Sequence, residues 1–209
     1  MNYDYKFEVQ INCSDIQCRA FTLEEYKELI DGKINGNIDE VVKRLINNCT
    51  SARNLNKQES ELLLIQLWSH SLGEVNHENI WICPEGHETL TPINFTSAQI
   101  DEPEELWYPL ANFKLKLRYP KLFDDKNIAQ MIATCIEYIY VNGETISIED
   151  LNDKEIDDLY SAITEEDIIR IKNMLLKPTV YLAVPVKCQK CGATHVEVIK
   201  GLKEFFRYL

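Results

Sequence analysis

Two alternating apolar segments joined by Cys188-Gln-Lys-Cys191-Gly192 constrain this chain more than any other stretch. Val180, Leu182 and Val184 alternate with Tyr181, Ala183 and Pro185, and Val196 and Val198 alternate with Glu197 and Ile199. Residues 177–209 therefore read as strand, knuckle, strand and closing helix. A Cys-x-x-Cys-Gly turn can aim both thiolates to one side, because glycine takes the positive-φ geometry that a residue with a Cβ resists. A structural zinc site needs four ligands, and this turn supplies two. The pair that fits by ligand type is Cys83 and His87, in Trp81-Ile-Cys-Pro-Glu-Gly-His87, again between strand-like segments. If the two hairpins face each other, Cys83, His87, Cys188 and Cys191 form a Cys3His site for one structural zinc. If they do not, Cys188 and Cys191 are a reduced pair that only shapes its own turn.

The other cysteines, at 13, 18, 49 and 135, bring the total to seven, and their spacings suggest no disulfide framework. The opening Met1-Asn-Tyr-Asp-Tyr-Lys-Phe7 has no apolar signal core, so free thiols in a reducing cytoplasm are expected. No segment approaches the roughly 18 consecutive apolar residues of a membrane span. The net charge of −12 is uneven, because residues 187–209 are net basic and the remainder is strongly acidic. An acidic body opposes approach to phosphates, which argues against a nucleic-acid partner.

Along the chain, Tyr3 to Ile11 alternates as an edge strand, and Thr22-Leu-Glu-Glu25 is a capping box opening a helix to about Asp31. Ile38 to Cys49 carries Ile38, Val41, Val42, Leu45, Ile46 and Cys49 on one helical face. Asn56-Lys-Gln-Glu59 caps a third helix, apolar nearly all round from Leu62 to Trp68 and therefore central. His70 lies between two serines, but neighbouring positions on a helix point in different directions, so no nucleophile–base pair is implied. Leu110 to Tyr119 alternates as a strand with Lys114, Lys116 and Arg118 on one face, and Asn127 to Tyr140 reads as a helix. Asn142-Gly143 is a turn before a short strand at Thr145 to Ile148. Residues 144–167 hold ten carboxylates and one lysine, spaced as the wet face of amphipathic helices rather than as a calcium loop. A capped helix from Thr164 ends before Pro178.

These elements predict an α+β protein, with helical bundle segments packed on short antiparallel sheets and one or two zinc-ribbon-like hairpins. The expected halves are 1–120, ending in the Cys83 hairpin and the 110–119 strand, and 121–209, ending in the Cys188/Cys191 hairpin and terminal helix, within one compact unit. Helices followed by a ribbon occur in each half, a pattern consistent with a pseudo-duplication. The sequence contains no phosphate loop, dinucleotide fingerprint, His-Glu-x-x-His or Gly-x-Ser-x-Gly, so a non-enzymatic protein acting through its surfaces is expected.

Glu61-Leu-Leu-Leu-Ile-Gln-Leu-Trp-Ser-His-Ser-Leu-Gly-Glu-Val75 followed by Ile80-Trp-Ile-Cys83 resembles the helix, Ser-x-Gly-Glu turn and Cys strand of a family of baseplate proteins from T-even-type contractile-tailed phages. The Ile148 to Pro178 stretch, the Val184 to Gly192 knuckle and the closing Gly201-Leu-Lys-Glu-Phe-Phe206 follow in the same order, so the resemblance covers residues 35–209. It implies a late protein that builds the central hub of the tail baseplate, in the host cytoplasm or within the virion tail, as a transient chaperone or as a hub subunit. The implied mechanism is recognition of a hub or tape-measure protein. Trp107, Tyr108, Phe205 and Phe206 are candidate anchors, and Lys114, Lys116 and Arg118 a candidate steering row. The alternative is a zinc-ribbon adaptor that binds protein or nucleic acid.

Overall fold

A computed structural model describes residues 5–12, 14–73, 76–101, 104–205 and 207. The chain divides into two units, one formed by Met1–Asp101 with Thr179–Leu209 and the other by Glu102–Pro178. The division expected near residue 120 is therefore replaced by an insertion. Both Cys hairpins belong to the first unit, and the segment between them folds as the second. What closes the first unit is a strand pairing invisible to local pattern: β5 (Gln99–Ile100), two residues long, pairs antiparallel with the first residues of the Val180–Lys187 strand.

In the first unit, β1 (Lys6–Ile11) and β2 (Ser14–Arg19) form an antiparallel hairpin, in which Val9 pairs with Ile16 and both are buried. The expected strand start at Tyr3 lies outside the described residues, as does Cys13. α1 (Leu23–Asn35) opens on the expected capping box. Thr22 Oγ1 accepts the Glu25 N–H at 3.2 Å, and Glu25 Oε2 accepts the Thr22 N–H at 2.8 Å. Arg19 grips the same carboxylate with two N–H groups, at 2.6 and 2.9 Å. The Arg19 hydrogen bond, aided by the Thr22 N–H against the opposing effect of burial, holds the Glu25 carboxyl down at about 2, from an ordinary 4.5. A carboxylate whose folded pKa is depressed contributes stability that is complete above its unfolded pKa and lost as pH falls through its folded pKa. Between about pH 4.5 and about 2 the protein should thus lose a contribution that Glu25→Gln never has. The gap between their urea midpoints should close across that window, and a gap independent of pH would contradict the assignment.

α1 does not stop near Asp31 as its glycine suggested. It runs through Gly32 and ends on Gly36, whose φ is +77°. Gly32 is there because α2 (Ile38–Cys49) lies against it: a Cβ at Gly32 would sit 2.8 Å from Val41 Cγ2. Gly32→Ala should therefore destabilise the fold. Overpacking of about 1–3 kcal/mol exceeds the gain of under about 1 kcal/mol from replacing a helical glycine. Urea unfolding of the variant measures this, and a net gain in stability would rule the close contact out.

α2 buries Val41, Val42, Leu45, Ile46 and Cys49, the face read from its sequence. α3 (Lys57–Leu72) starts on the Asn56 capping box and ends on Gly73 at φ +72°. Leu63, Ile65 and Leu67 are fully buried, and the helix packs against α2, β1, β2 and β5. His70 stacks on Phe7 with ring centroids 4.1 Å apart, and burial lowers its pKa, so it is a packing residue. β3 (Asn76–Ile82) and β4 (Glu88–Asn94) form the first ribbon.

The second unit opens with β6 (Leu106–Pro109) and β7 (Lys114–Leu117), an antiparallel pair whose turn is closed by the Leu110 N–H on the Phe113 carbonyl at 2.8 Å. The single strand expected over 110–119 is thus shorter and is half of a hairpin. The helix expected from Asn127 to Tyr140 is also corrected: α4 (Ile128–Cys135) gives way directly to β8 (Ile136–Val141). Ile136-Glu-Tyr-Ile-Tyr-Val141 is rich in β-branched and aromatic residues, and the Arg118 N–H on the Cys135 carbonyl at 2.8 Å anchors the switch. β9 (Glu144–Ser147) follows the Asn142-Gly143 turn, both residues of which have positive φ, and completes a sheet of order β6-β7-β8-β9.

α5 (Asp153–Ser161) and α6 (Glu165–Leu176) begin on capping boxes at Asn152 and Thr164. They bury Leu159, Ile171 and Leu175 with Leu115, Leu117, Met131, Ile132 and Cys135 and leave most of their acids in water.

The chain then returns to the first unit as β10 (Val180–Lys187), β11 (Thr194–Lys200) and the short α7 (Leu202–Phe205). All strand pairings among the described residues are antiparallel, and no helix among them is long and apolar enough to cross a membrane.

Candidate functional site

The two ribbons of the first unit place their turns together. In the first, the Cys83 N–H reaches the His87 carbonyl at 3.0 Å, and Gly86, at φ +79°, returns its own N–H to the Cys83 carbonyl at 2.8 Å. In the second, the Cys188 N–H reaches the Ala193 carbonyl at 2.8 Å and the Gly192 N–H, at φ +72°, reaches the Cys188 carbonyl at 3.0 Å. Each turn is therefore a tight loop that starts on a cysteine and tightens on a left-handed glycine, where a residue with a Cβ would be strained.

One ligand atom from each of Cys83, His87, Cys188 and Cys191 lies within 4.8 Å of every other. Cys191 Sγ is 3.7 Å from Cys83 Sγ, and Cys188 Sγ is 3.8 Å from His87 Nδ1, so each close contact crosses from one ribbon to the other. The sulfurs are not bonded, and all six described cysteines are free thiols. The peptide N–H of His87 donates to Cys83 Sγ at 3.3 Å. Backbone N–H groups of Cys191 and Lys190 stabilise the Cys188 thiolate and bring its pKa down to about 6. Cys191 has the Ala193 N–H in its favour, but the neighbouring Cys188 and Cys83 sulfurs and burial push it up to about 11. Cys83 and Cys188 are buried, whereas His87 and Cys191 are half-exposed. By contrast, burial pushes Cys18 and Cys49 up to about 12 and Cys135 to about 11, so these thiols are inert core groups.

The residues expected to contact a partner separate into two sets. Tyr108 and Phe205 are corrections. Tyr108 is buried in the second unit and its hydroxyl donates to Asp167 at 2.6 Å, while Phe205 is wholly buried in the first, with its ring 6.1 Å from that of Phe95. Both complete cores. Phe206 lies outside the described residues. Trp107, Lys114 and Lys116 do share an outward face, on the β6-β7-β8-β9 sheet. Lys116 pairs across the strands with Trp107 on one side and Tyr138 on the other, and Lys114 with Pro109 and Tyr140. Trp107, Tyr138 and Tyr140 are 40%, 43% and 39% exposed, far more than aromatic side chains serving a core. The Lys116 ammonium sits 5.0 Å above the Trp107 ring and 3.3 Å from Glu105, and Trp107 meets Tyr140 edge-on at 6.5 Å. Arg118 is turned aside, its Nε donating to the Thr134 carbonyl at 3.0 Å.

Sequence reasoning missed Tyr138 and Tyr140 because it ran the preceding helix through them. The signal that could have found them is the alternation Glu137, Tyr138, Ile139, Tyr140, with Ile139 buried and the tyrosines out.

Residues 2–207 match the family described as T4 bacteriophage base plate protein. A curated relative, the baseplate hub assembly protein gp26 of Enterobacteria phage T4, is 64% identical over 207 residues, which cover 99% of this chain and 100% of the relative. No solved structure matches the chain.

Proposed function

Because this chain belongs to the T4 bacteriophage base plate protein family, we propose that it acts in assembly of a phage baseplate hub, by binding other baseplate proteins rather than by catalysis. The observation that carries the mechanism is the outward sheet face of Trp107, Tyr138 and Tyr140 around Lys114 and Lys116. Tryptophan and tyrosine are the side chains that most often dominate the energy of protein interfaces, and here three stand on rigid strands. Lys114 and Lys116 give the face positive charge within a chain of net charge −12, which favours an acidic, apolar-centred segment on a hub or tape-measure partner and speeds encounter with it.

The deciding experiment purifies tagged protein from infected cells and identifies what comes with it, alongside mass spectrometry of finished particles. Capture of hub proteins is expected. Capture together with a fixed share in particles identifies a hub subunit, and capture from precursors alone identifies an assembly factor. A protein that captures no baseplate component sinks the reading.

A further inference from the structure

We propose that Cys83, His87, Cys188 and Cys191 bind one zinc ion, which locks the two ribbons of the first unit together. A zinc ion with bonds of about 2.3 Å to sulfur and about 2.0 Å to imidazole nitrogen, arranged tetrahedrally, sets its sulfurs about 3.7 Å apart and its sulfur–nitrogen edges slightly shorter. The two close ribbon-to-ribbon separations are 3.7 Å for Cys191 Sγ to Cys83 Sγ and 3.8 Å for Cys188 Sγ to His87 Nδ1. The remaining edges fall within 4.8 Å. The two measured edges are close to those of a zinc tetrahedron, the other four are short enough to contract onto one ion, and a disulfide, at about 2.05 Å, is a different object.

Ligand chemistry points the same way. Three thiolates and an imidazole suit zinc, whereas magnesium and calcium require oxygen. All four positions belong to the protein, so no place remains for water or substrate, which makes the site structural rather than catalytic. Approach of Nδ1 to the sulfurs places the ring proton on Nε2 in the bound state.

The architecture supplies a reason for such a site. Each ribbon is a two-stranded hairpin over its outer length, a form that is marginally stable on its own in water. Both expose apolar side chains on their outer faces: Ile80, Ile82 and Leu90 on the first, and Val196 and Val198 on the second. β10 buries Val184 and Val186 almost to its tip, but β3 of the first ribbon has no buried residue, so burial does little to hold that strand. The ligands come from chain segments about a hundred residues apart, so one ion cross-links the start and end of the first unit around the whole inserted second unit. Binding free energy at such a site is folding free energy.

The test uses the full chain, purified under reducing conditions, desalted and assayed for metal by mass spectrometry. One zinc per chain is expected. Cys188→Ser and Cys83→Ser should each cut the content at least tenfold, while Cys18→Ser, a buried thiol outside the cluster, should leave it at one. Cobalt replacing zinc should give the thiolate charge-transfer band and the intense visible bands of a tetrahedral site, with the charge-transfer intensity of three sulfurs. In case the serine variants fold poorly, chelation of the wild-type chain provides a second reading: the thermal midpoint should drop on zinc removal and return on adding zinc back. Wild-type chain without stoichiometric zinc, or with zinc that survives loss of either cysteine in folded protein, overturns the assignment.

Discussion

Phe205→Ala should cost about 3–5 kcal/mol of stability, the range for deleting a fully buried phenylalanine. The position looks unpromising, four residues from the end of the chain in a helix of one turn. Its burial is nevertheless complete, and its ring faces Phe95, which is also fully buried. The helix is fixed in place from outside itself. The Gly201 N–H reaches the Val180 carbonyl at 2.8 Å, tying the turn to β10, and Glu204 Oε2 accepts the Lys200 N–H at 2.7 Å. Truncation leaves a cavity among Phe95, α3 and α7 that the close-packed α3 cannot collapse into. Against a total stability of about 5–15 kcal/mol for a typical domain, that loss is large enough to show as a marked fall in urea midpoint. The opposite role, an exposed anchor for a partner, predicts unchanged stability and lost binding. An urea midpoint within error of the wild type would move Phe205 to that role.

Phe205 also illustrates what local pattern could and could not reveal. Capping boxes at Thr22, Asn56 and Thr164 and the positive-φ glycine after α3 were legible, because each is a contact between residues three or four apart. The convergence of Cys83, His87, Cys188 and Cys191 was legible too, since the residue types able to hold a metal are few and both pairs sit on turns between alternating segments. What stayed hidden depends on distant pairing. The Ile136 to Val141 strand was lost because Ile136 and Ile139, three residues apart, share one helical face; in the strand both are buried only because the register shifts between Lys116 and Leu117, which face Tyr138 and Ile136. The domain division was lost because it hinges on β5, two residues of strand whose partner is some eighty residues away. Gly32 looked like a helix stop, and only the approach of Val41 shows that it is a packing position. The sheet face of Trp107, Tyr138 and Tyr140 lay in the same blind spot, since two of its three aromatic residues come from the strand read as helix.

Trp107→Ala should weaken capture of the hub partner by about thirtyfold or more, the effect of losing about 2 kcal/mol at an interface hot spot, with little change in folding. The two readouts separate because Trp107 is 40% exposed and its neighbours on the sheet are Lys116 of β7 and the exposed Tyr140 ring of β8. Removing it exposes no core, so its stability cost should stay near that of an ordinary surface change, within about 0.5–1 kcal/mol. Lys116→Glu provides the second arm. Lys116 is held over the Trp107 ring and beside Glu105, so the reversal places two carboxylates side by side on the face that is proposed to meet an acidic segment. A slower association, whose deficit relative to the wild type shrinks at high salt, is expected from a change in charge alone. Trp107→Ala should instead act mainly on dissociation, because it removes buried contact area and not long-range attraction. If both variants capture the partner as well as the wild type does, the sheet face is not the docking surface. The exposed apolar faces of the ribbons, Ile80, Ile82 and Leu90 with Val196 and Val198, then become the place to substitute next.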